Sequence, residues 1–210
     1  MKKLLFLLFL LLSALSELTA KSSQLKFSAD LLHGSGITGK IHTTLIGNAK
    51  VSMDSLTIKS QRIELYGKDY RYVKATEGST GEDTEKGFTF SAASLQYDRT
   101  TEIAEFLGGA KIHDAKNNIK TEAERIQYNQ KNETILLQMG VKINSKDIVC
   151  ESLFALYYRK TALLELTGNP SVKKGKDVFK AARIVVNLNT EDIQLDGKVR
   201  GSVTEEKKSK

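Results

Sequence analysis

Residues 164–188, LELTGNPSVKKGKDVFKAARIVVNL, contain the pattern that decides the fold of this chain. Apolar and polar residues alternate up to Gly168, a polar and basic stretch follows, and an apolar run resumes as Ala-Ala-Arg-Ile-Val-Val. A period of two is typical of a strand with one face in an apolar interior and the other in solvent. A glycine inside such a strand has no side chain to pack, so it predicts a bend or a bulge.

The same pattern recurs along the chain and predicts repeated structural units. Glycines fall at spacings of 31, 31, 31, 28 and 29 residues, at Gly47, Gly78, Gly109, Gly140, Gly168 and Gly197. Between them lies a small residue followed three positions later by Ile or Leu, at Ser60–Ile63, Ala92–Leu95, Ala123–Ile126, Cys150–Leu153 and Ala181–Ile184. Gly78 departs from the rule, because it lies in TEGSTGEDTEKG, which we interpret as an enlarged polar loop. Two motifs in a common phase indicate stacked supersecondary units.

Two segments, TEAERIQYN and ESLFALYYRKTALLEL, also carry features of a helix, namely a capping box and apolar residues at helical spacing. Both occupy the same phase of the repeat as the strand-like segments KSQRIELY and AARIVVNL. This agreement between copies favours strands. Six units of two strands predict about twelve antiparallel strands in an all-β structure stacked along one axis.

The first residues, MKKLLFLLFLLLSALSELTA, have a basic start followed by an apolar run that ends at Glu17. The run is short for a membrane span, so it predicts an export signal cleaved after Ser16 or Ala20; an uncleaved single-pass anchor is the alternative. The expected organisation is a signal peptide at 1–20, one β domain at 24–203 and a disordered basic tail at 204–210. Export predicts a periplasmic location.

Composition limits the chemistry of the chain. Cys150 is the single cysteine, which excludes an internal disulfide, and the net charge of +7 suits anionic surfaces such as lipid phosphates as well as simple solubility. The three histidines have no ligand spacing, and no nucleophile motif or phosphate-binding loop occurs. We therefore expect a protein that is not an enzyme and has no metal and no cofactor. Export and the lack of interleaved aromatics argue against a nucleic-acid partner.

The segments AERIQYNQKNETILLQMGVKI and LTGNPSVKKGKDVFKAARIVVNLNTEDIQLDGKV resemble the LptA/OstA-like family of periplasmic lipopolysaccharide-transport proteins. The resemblance covers roughly residues 24–203. It implies an elongated, twisted β-jellyroll with open ends and an apolar groove between two sheets. It also implies binding of lipopolysaccharide or a related glycolipid, inner- and outer-membrane partners with the same domain, and end-to-end homo-oligomers.

Inward apolar side chains of such a groove are the candidate lipid-binding residues. They are Leu107, Ile112, Leu137, Met139, Val141, Ile143, Leu164, Leu166, Val172, Ile184, Val186, Leu195 and Val199. A period of two does not distinguish a groove from a closed core. Three functions therefore stay open: a periplasmic lipid carrier that passes the glycolipid from inner to outer membrane, a membrane-anchored partner of the same fold (LptC-like), and a structural β-solenoid with a sealed core.

Overall fold

The computed structural model describes residues 24–35 and 42–204, which form eighteen strands, a short 3-10 turn at Lys68–Tyr70 and no α-helix. The predicted export signal or anchor, and all of the predicted tail except Thr204, lie outside the described residues. The strands are β1 (Leu25–Ser28), β2 (Leu31–Ser35), β3 (His42–Met53), β4 (Leu56–Tyr66), β5 (Tyr72–Thr76), β6 (Ser79–Asp83), β7 (Phe88–Ala92), β8 (Ser94–Asp98), β9 (Ile103–Asp114), β10 (Ile119–Asn129), β11 (Thr134–Ser145), β12 (Ile148–Tyr158), β13 (Leu163–Thr167), β14 (Ser171–Lys174), β15 (Asp177–Lys180), β16 (Arg183–Asn187), β17 (Ile193–Asp196) and β18 (Arg200–Ser202).

All pairings are antiparallel, and they form two half-sheets of twelve strand segments each. Half-sheet 1 runs β2-β3-β4-β5-β8-β9-β10-β11-β12-β13-β16-β17. Half-sheet 2 runs β1-β3-β4-β6-β7-β9-β10-β11-β12-β14-β15-β18. The six long strands β3, β4, β9, β10, β11 and β12 contribute one half to each. The predicted number of about twelve strands is too low, because elsewhere the chain is divided at the corner into short strands, twelve in all, which with the six long strands make eighteen.

The repeated glycines form the corner at which the chain passes between the half-sheets. At each of the repeated glycines two consecutive residues have positive φ: Gly47–Asn48, Glu77–Gly78, Gly108–Gly109, Met139–Gly140, Gly168–Asn169 and Gly197–Lys198. In the paired long strands, two residues at the corner oppose one on the neighbour, for example Gly47 and Asn48 opposite Gln61. At Gly168 an added Cβ would approach the Leu153 Cβ to 2.7 Å. Glycine is therefore required here both by the positive φ of 74° and by the lack of space for a side chain. The predicted bend is confirmed.

Gly78 does not depart from the repeat. Glu77 and Gly78 form a corner like the others, and the stretch interpreted as a loop contains strand β6. Its inward positions are Ser79 and Asp83, both buried, so the polar composition hid a strand. The two segments with helical features are strands, as the repeat phase predicted.

The second motif has a geometric cause. Ser60 and Ala123 are the last inward residues of one half-sheet, and Ile63 and Ile126, three positions on, are the first inward residues of the other. A spacing of three changes the parity of the alternation, and this change takes β4 and β10 around the corner without residues at positive φ. In β12 the predicted copy Cys150–Leu153 is out of register, because Ser152 occupies the equivalent place opposite Val141 and Ala155 follows it. Leu153 is therefore exposed.

The two half-sheets pack face to face on one apolar core. Phe90 of half-sheet 2 meets Phe106 of half-sheet 1 at 5.0 Å between ring centroids, and Phe88 packs edge-on against Tyr128 at 5.0 Å. Gly81 lies inward beneath the Phe90 ring, where a Cβ would overlap both that ring and the Thr57 carbonyl oxygen. The core continues through every unit from Leu45 to Leu188.

Candidate functional site

The interior between the half-sheets holds most of the candidate lipid-binding residues. Nine are buried: Ile112, Leu137, Val141, Ile143, Leu164, Leu166, Val172, Ile184 and Val186. Leu195 is half-buried in β17, at the end of half-sheet 1. These side chains form one continuous apolar interior, which is packed closed in this structure.

Three candidates do not point into the interior: Leu107, Met139 and Val199 are 39, 51 and 55 % exposed. In β9 the inward residues are Ala104 and Phe106, so Leu107 belongs to the outer face. Met139 stands at the corner with φ 65°, which turns its side chain outward although the parity on both sides of it is inward. Val199 precedes the edge strand β18, beyond the core. The sequence pattern also missed Phe106, an inward residue of the same unit.

The interior becomes more polar with distance from the corner. Its edge opposite the corner, here called the seam, is where the hairpin turns of the two half-sheets face each other. Inward residues beside the seam include Tyr97, Tyr128 and Tyr157 on half-sheet 1 and Asp83 and Asp114 on half-sheet 2. Burial raises the pKa of Tyr128 to about 12 and raises those of Tyr97 and Tyr157 further, so all three stay neutral hydroxyl groups at physiological pH.

A buried ion pair joins the half-sheets across the seam. The Arg159 guanidinium donates to both carboxylate oxygens of Asp114, with Nε–Oδ2 at 2.8 Å and Nη2–Oδ1 at 2.9 Å. The two side chains are 4 % and 1 % exposed. Arg159 also donates to the Tyr128 hydroxyl (3.2 Å) and the Lys86 carbonyl (3.0 Å), while Asn117 donates to Asp114 (2.9 Å). Every polar atom of this cluster is hydrogen-bonded, which is what a buried pair requires.

Electrostatics keeps both members of the pair charged. Burial opposes ionisation of Asp114, but the hydrogen bonds from Arg159 and Asn117 outweigh it and hold the pKa of this carboxyl below its usual value. Burial likewise opposes the charge on Arg159, and the hydrogen bonds to Asp114 raise the pKa of the guanidinium nevertheless. The pair acts as a latch that holds the two turn edges together.

Partly exposed ion pairs close other parts of the seam. Lys86 bonds Glu133 at 3.2 Å, and Glu191 accepts from Lys146 at 3.0 Å and from Lys174 at 2.9 Å. Towards the N-terminal end the seam widens into a cleft of ≈ 420 Å³ between turns of the two half-sheets. Met53, Leu56 and Tyr97 are among the residues that line it, so the cleft reaches side chains of the core.

Sequence reasoning did not find the latch, since its members are 45 positions apart. A signal did exist. Asp114 follows Ala110 and Ile112 at the inward parity of β9, where a carboxylate requires a partner.

Among the residues that the structure describes, no group of three His, Cys, Asp or Glu side chains is placed to hold a metal ion. No described helix has the length and apolarity needed to cross a membrane.

Comparison with known proteins agrees with this geometry. Residues 136–192, from β11 to the turn after β16, match the family model described as LptA/(LptD N-terminal domain) LPS transport protein. The structure is similar to that of LptH from Pseudomonas aeruginosa, the LptA homologous periplasmic component of the conserved lipopolysaccharide transport device. The TM-score is 0.50 at 16 % identity, over 55 % of this chain and 82 % of that one. No curated protein matches the chain in sequence. The resemblance to the LptA/OstA-like family and the antiparallel β-jellyroll are confirmed.

Proposed function

We propose that this protein is a periplasmic carrier that holds the acyl chains of lipopolysaccharide, or of a related glycolipid, between its two half-sheets and passes the lipid towards the outer membrane. It binds without turnover. One observation carries the proposal: an unbroken apolar interior runs through all units, and in the part of the chain that the structure describes both of its ends are strand edges rather than caps. The match to a family of lipopolysaccharide-transport proteins supports the choice of cargo.

The energetics favour an enclosed route. Exposed acyl chains cost about 0.8 kcal/mol per methylene group in water, so a lipid with several chains does not cross an aqueous space unaided. The interior offers a continuous lining of Leu, Ile, Val and Phe side chains with the Asp114–Arg159 pair at its edge. Because the interior is packed closed, lipid entry requires the half-sheets to separate at the seam, with the corner as hinge.

The ends of the sheet suit end-to-end assembly. Within the described ranges 24–35 and 42–204, β1 and β2 at one end and β17 and β18 at the other pair on one side only, which leaves backbone donors and acceptors along their outer edges. Phe27, Leu31 and Leu32 near one end and Val199 and Val203 near the other are exposed apolar side chains. Strand addition between copies, or to inner- and outer-membrane partners with the same domain, would cover these edges.

The domain proposed for this role spans residues 24–203. Cleavage of an export signal at 1–20 would release it into the periplasm, with 204–210 as a solvated basic tail. Mapping the N-terminus of the mature chain distinguishes this form from an anchored partner, because a start at Glu17 or Lys21 removes the anchor.

The second candidate is a structural β-jellyroll with a sealed core. It is favoured by the closed packing of the interior and by the buried latch. Photocrosslinking in cells separates the two functions, with a photoreactive residue at Leu166, which is buried, or at Thr167, which is exposed on the outer face. A carrier gives a glycolipid adduct at position 166 and none at 167. A sealed core gives no adduct at either position in folded protein.

A further inference from the structure

The charges on the outer faces of the two half-sheets are segregated. The outer face of half-sheet 2 carries nine cationic side chains, Lys26, Lys50, Lys59, Lys111, Lys120, Lys142, Lys173, Lys180 and Arg200, against three acids, Glu82, Glu122 and Glu151. The outer face of half-sheet 1 carries four cations, Arg62, Lys74, Arg125 and Arg183, and five acids, Glu64, Asp98, Glu105, Glu165 and Asp196. The positive excess of the described strands is therefore concentrated on one face.

The two faces also differ in how their cations are paired. On half-sheet 1 the three arginines each bond a glutamate, Glu64, Glu105 or Glu165. On half-sheet 2, of the nine described cations, Lys111 alone has an acidic partner, Glu122 at 3.5 Å. All nine are exposed.

Two triplets of cations that form no ion pair with a described acid stand at the ends of half-sheet 2. Lys26, Lys50 and Lys59 lie on the adjacent strands β1, β3 and β4, and we call them the N-terminal basic patch. Lys173, Lys180 and Arg200 lie on β14, β15 and β18 and form the C-terminal basic patch. In the middle of the face Glu122 and Glu151 lie on either side of Lys142, which lowers the net charge there.

The N-terminal basic patch contains a feature that folding does not require. Lys50 and Lys59 are directly opposite each other in the β3–β4 ladder, and like charges in this position destabilise a sheet. Both line a surface concavity of ≈ 400 Å³ together with Ser28, Thr80 and Glu77. Lys180 lines a similar concavity of ≈ 380 Å³ with Ser171 and Glu151 at the other end. The ammonium and hydroxyl groups of these shallow depressions can donate to the phosphate of a lipid headgroup, and each depression holds one carboxylate.

We propose that the two basic patches of half-sheet 2 dock the protein on anionic lipid bilayers, one patch at each end of the sheet. Charge complementarity selects this partner: the donors are lysines and one arginine spread over a sheet face, and the outward positions of the described strands in half-sheet 2 hold no Phe, Tyr or Trp ring on which a nucleic-acid base could stack. Docking does not depend on lipid entering the interior. It would bring the ends of the sheet to membrane surfaces, where cargo is collected or delivered.

The test measures how the full chain partitions between buffer and two kinds of vesicle, pure phosphatidylcholine and an equal mixture of phosphatidylcholine and phosphatidylglycerol. The quantity compared is the ratio of the two partition coefficients, because any apolar insertion of residues 1–23 contributes to both. The test variants are Lys26→Gln/Lys50→Gln/Lys59→Gln and Lys173→Gln/Lys180→Gln/Arg200→Gln. The matched control, Lys68→Gln/Lys74→Gln/Lys160→Gln, removes the same charge from half-sheet 1 and its turns.

Each lysine near an anionic surface strengthens binding about fivefold, so we expect each patch variant to lower the ratio by about a hundredfold at low salt, and the control to change it by less than about threefold. Raising the ionic strength should lower the wild-type ratio steeply. If the control variant lowered the ratio of partition coefficients as much as the patch variants do, net charge alone would explain the binding, and this result would overturn the proposal. So would a wild-type chain without preference for phosphatidylglycerol, or one that binds soluble polyphosphate but no vesicle. Unchanged circular dichroism of the variants confirms that they fold.

Discussion

Removing Arg159 tests the latch across the seam most severely. Arg159→Met keeps much of the aliphatic stem but leaves the Asp114 carboxylate, 1 % exposed, without its two strongest hydrogen bonds. The Asn117 side-chain amide at 2.9 Å, the Asn117 backbone N–H at 3.4 Å and the Tyr157 hydroxyl at 3.3 Å remain as donors. Breaking a buried pair by removing one partner costs about 3–5 kcal/mol, and the three remaining neutral donors place this site near the lower limit. We expect a loss of about 3 kcal/mol in the free energy of unfolding at neutral pH.

The double variant Asp114→Leu/Arg159→Met provides the control. It removes both charges, so no uncompensated ion stays buried, and exchanging a buried pair for apolar residues is often close to neutral. Urea unfolding of the wild type, Arg159→Met, Asp114→Leu and the double variant gives the coupling energy of the pair. We expect coupling above about 2 kcal/mol, with the double variant more stable than either single one. Single-variant losses below about 1 kcal/mol, adding without coupling, would show that the pair is not a latch.

Three further predictions follow from the interior. The pKa of Asp114 is lowered in the folded state, so its ionisation stabilises the fold above the unfolded pKa of about 3.9, and this contribution is lost as pH falls through the folded pKa. The difference in free energy of unfolding between the wild type and Asp114→Asn should therefore narrow below about pH 4. A difference that stays constant with pH would contradict this. Gly81→Ala should cost about 1–3 kcal/mol by overlap with the Thr57 carbonyl and the Phe90 ring, whereas Gly34→Ala, in ordinary contact with Leu32 at 3.7 Å, should change thermal unfolding little. Cys150 is fully buried and burial raises its thiol pKa to about 12, so a maleimide should label it in denaturant and not in native buffer; rapid native labelling would show that β12 opens locally.

The repeat was readable from sequence because it is a local constraint applied six times. The glycine-containing strands turn the corner through two residues at positive φ, and the long strands between them turn it through a change of parity, so the glycines and the small residue three positions before Ile or Leu keep their phase. The corner at Glu77–Gly78 has the same geometry, although the polar residues around it resemble a loop in the sequence.

Side-chain direction at the corner was not readable in the same way. A strict period of two predicts that the Met139 side chain points inward with those of Leu137 and Val141, but the positive φ of Met139 turns its side chain out to solvent. The latch was out of reach for a different reason, since Asp114 and Arg159 meet only when the half-sheets face each other. The basic patches were visible as net charge alone, because register decides which lysines share a face.

The most direct measurement combines lipid crosslinking at Leu166 with a covalent lock on the seam. Cysteines at Lys146 and Glu191, whose side chains meet across the seam at 3.0 Å, would be joined by a short bismaleimide, while buried Cys150 stays unreactive. The control lock joins Lys74 and Gln96, directly opposite each other within half-sheet 1. If acyl chains enter between the half-sheets, the photoreactive residue at 166 forms a glycolipid adduct in the unlocked and control proteins and loses it in the seam-locked one. No adduct in any form, or the same adduct with the seam locked, would contradict lipid entry by separation of the half-sheets.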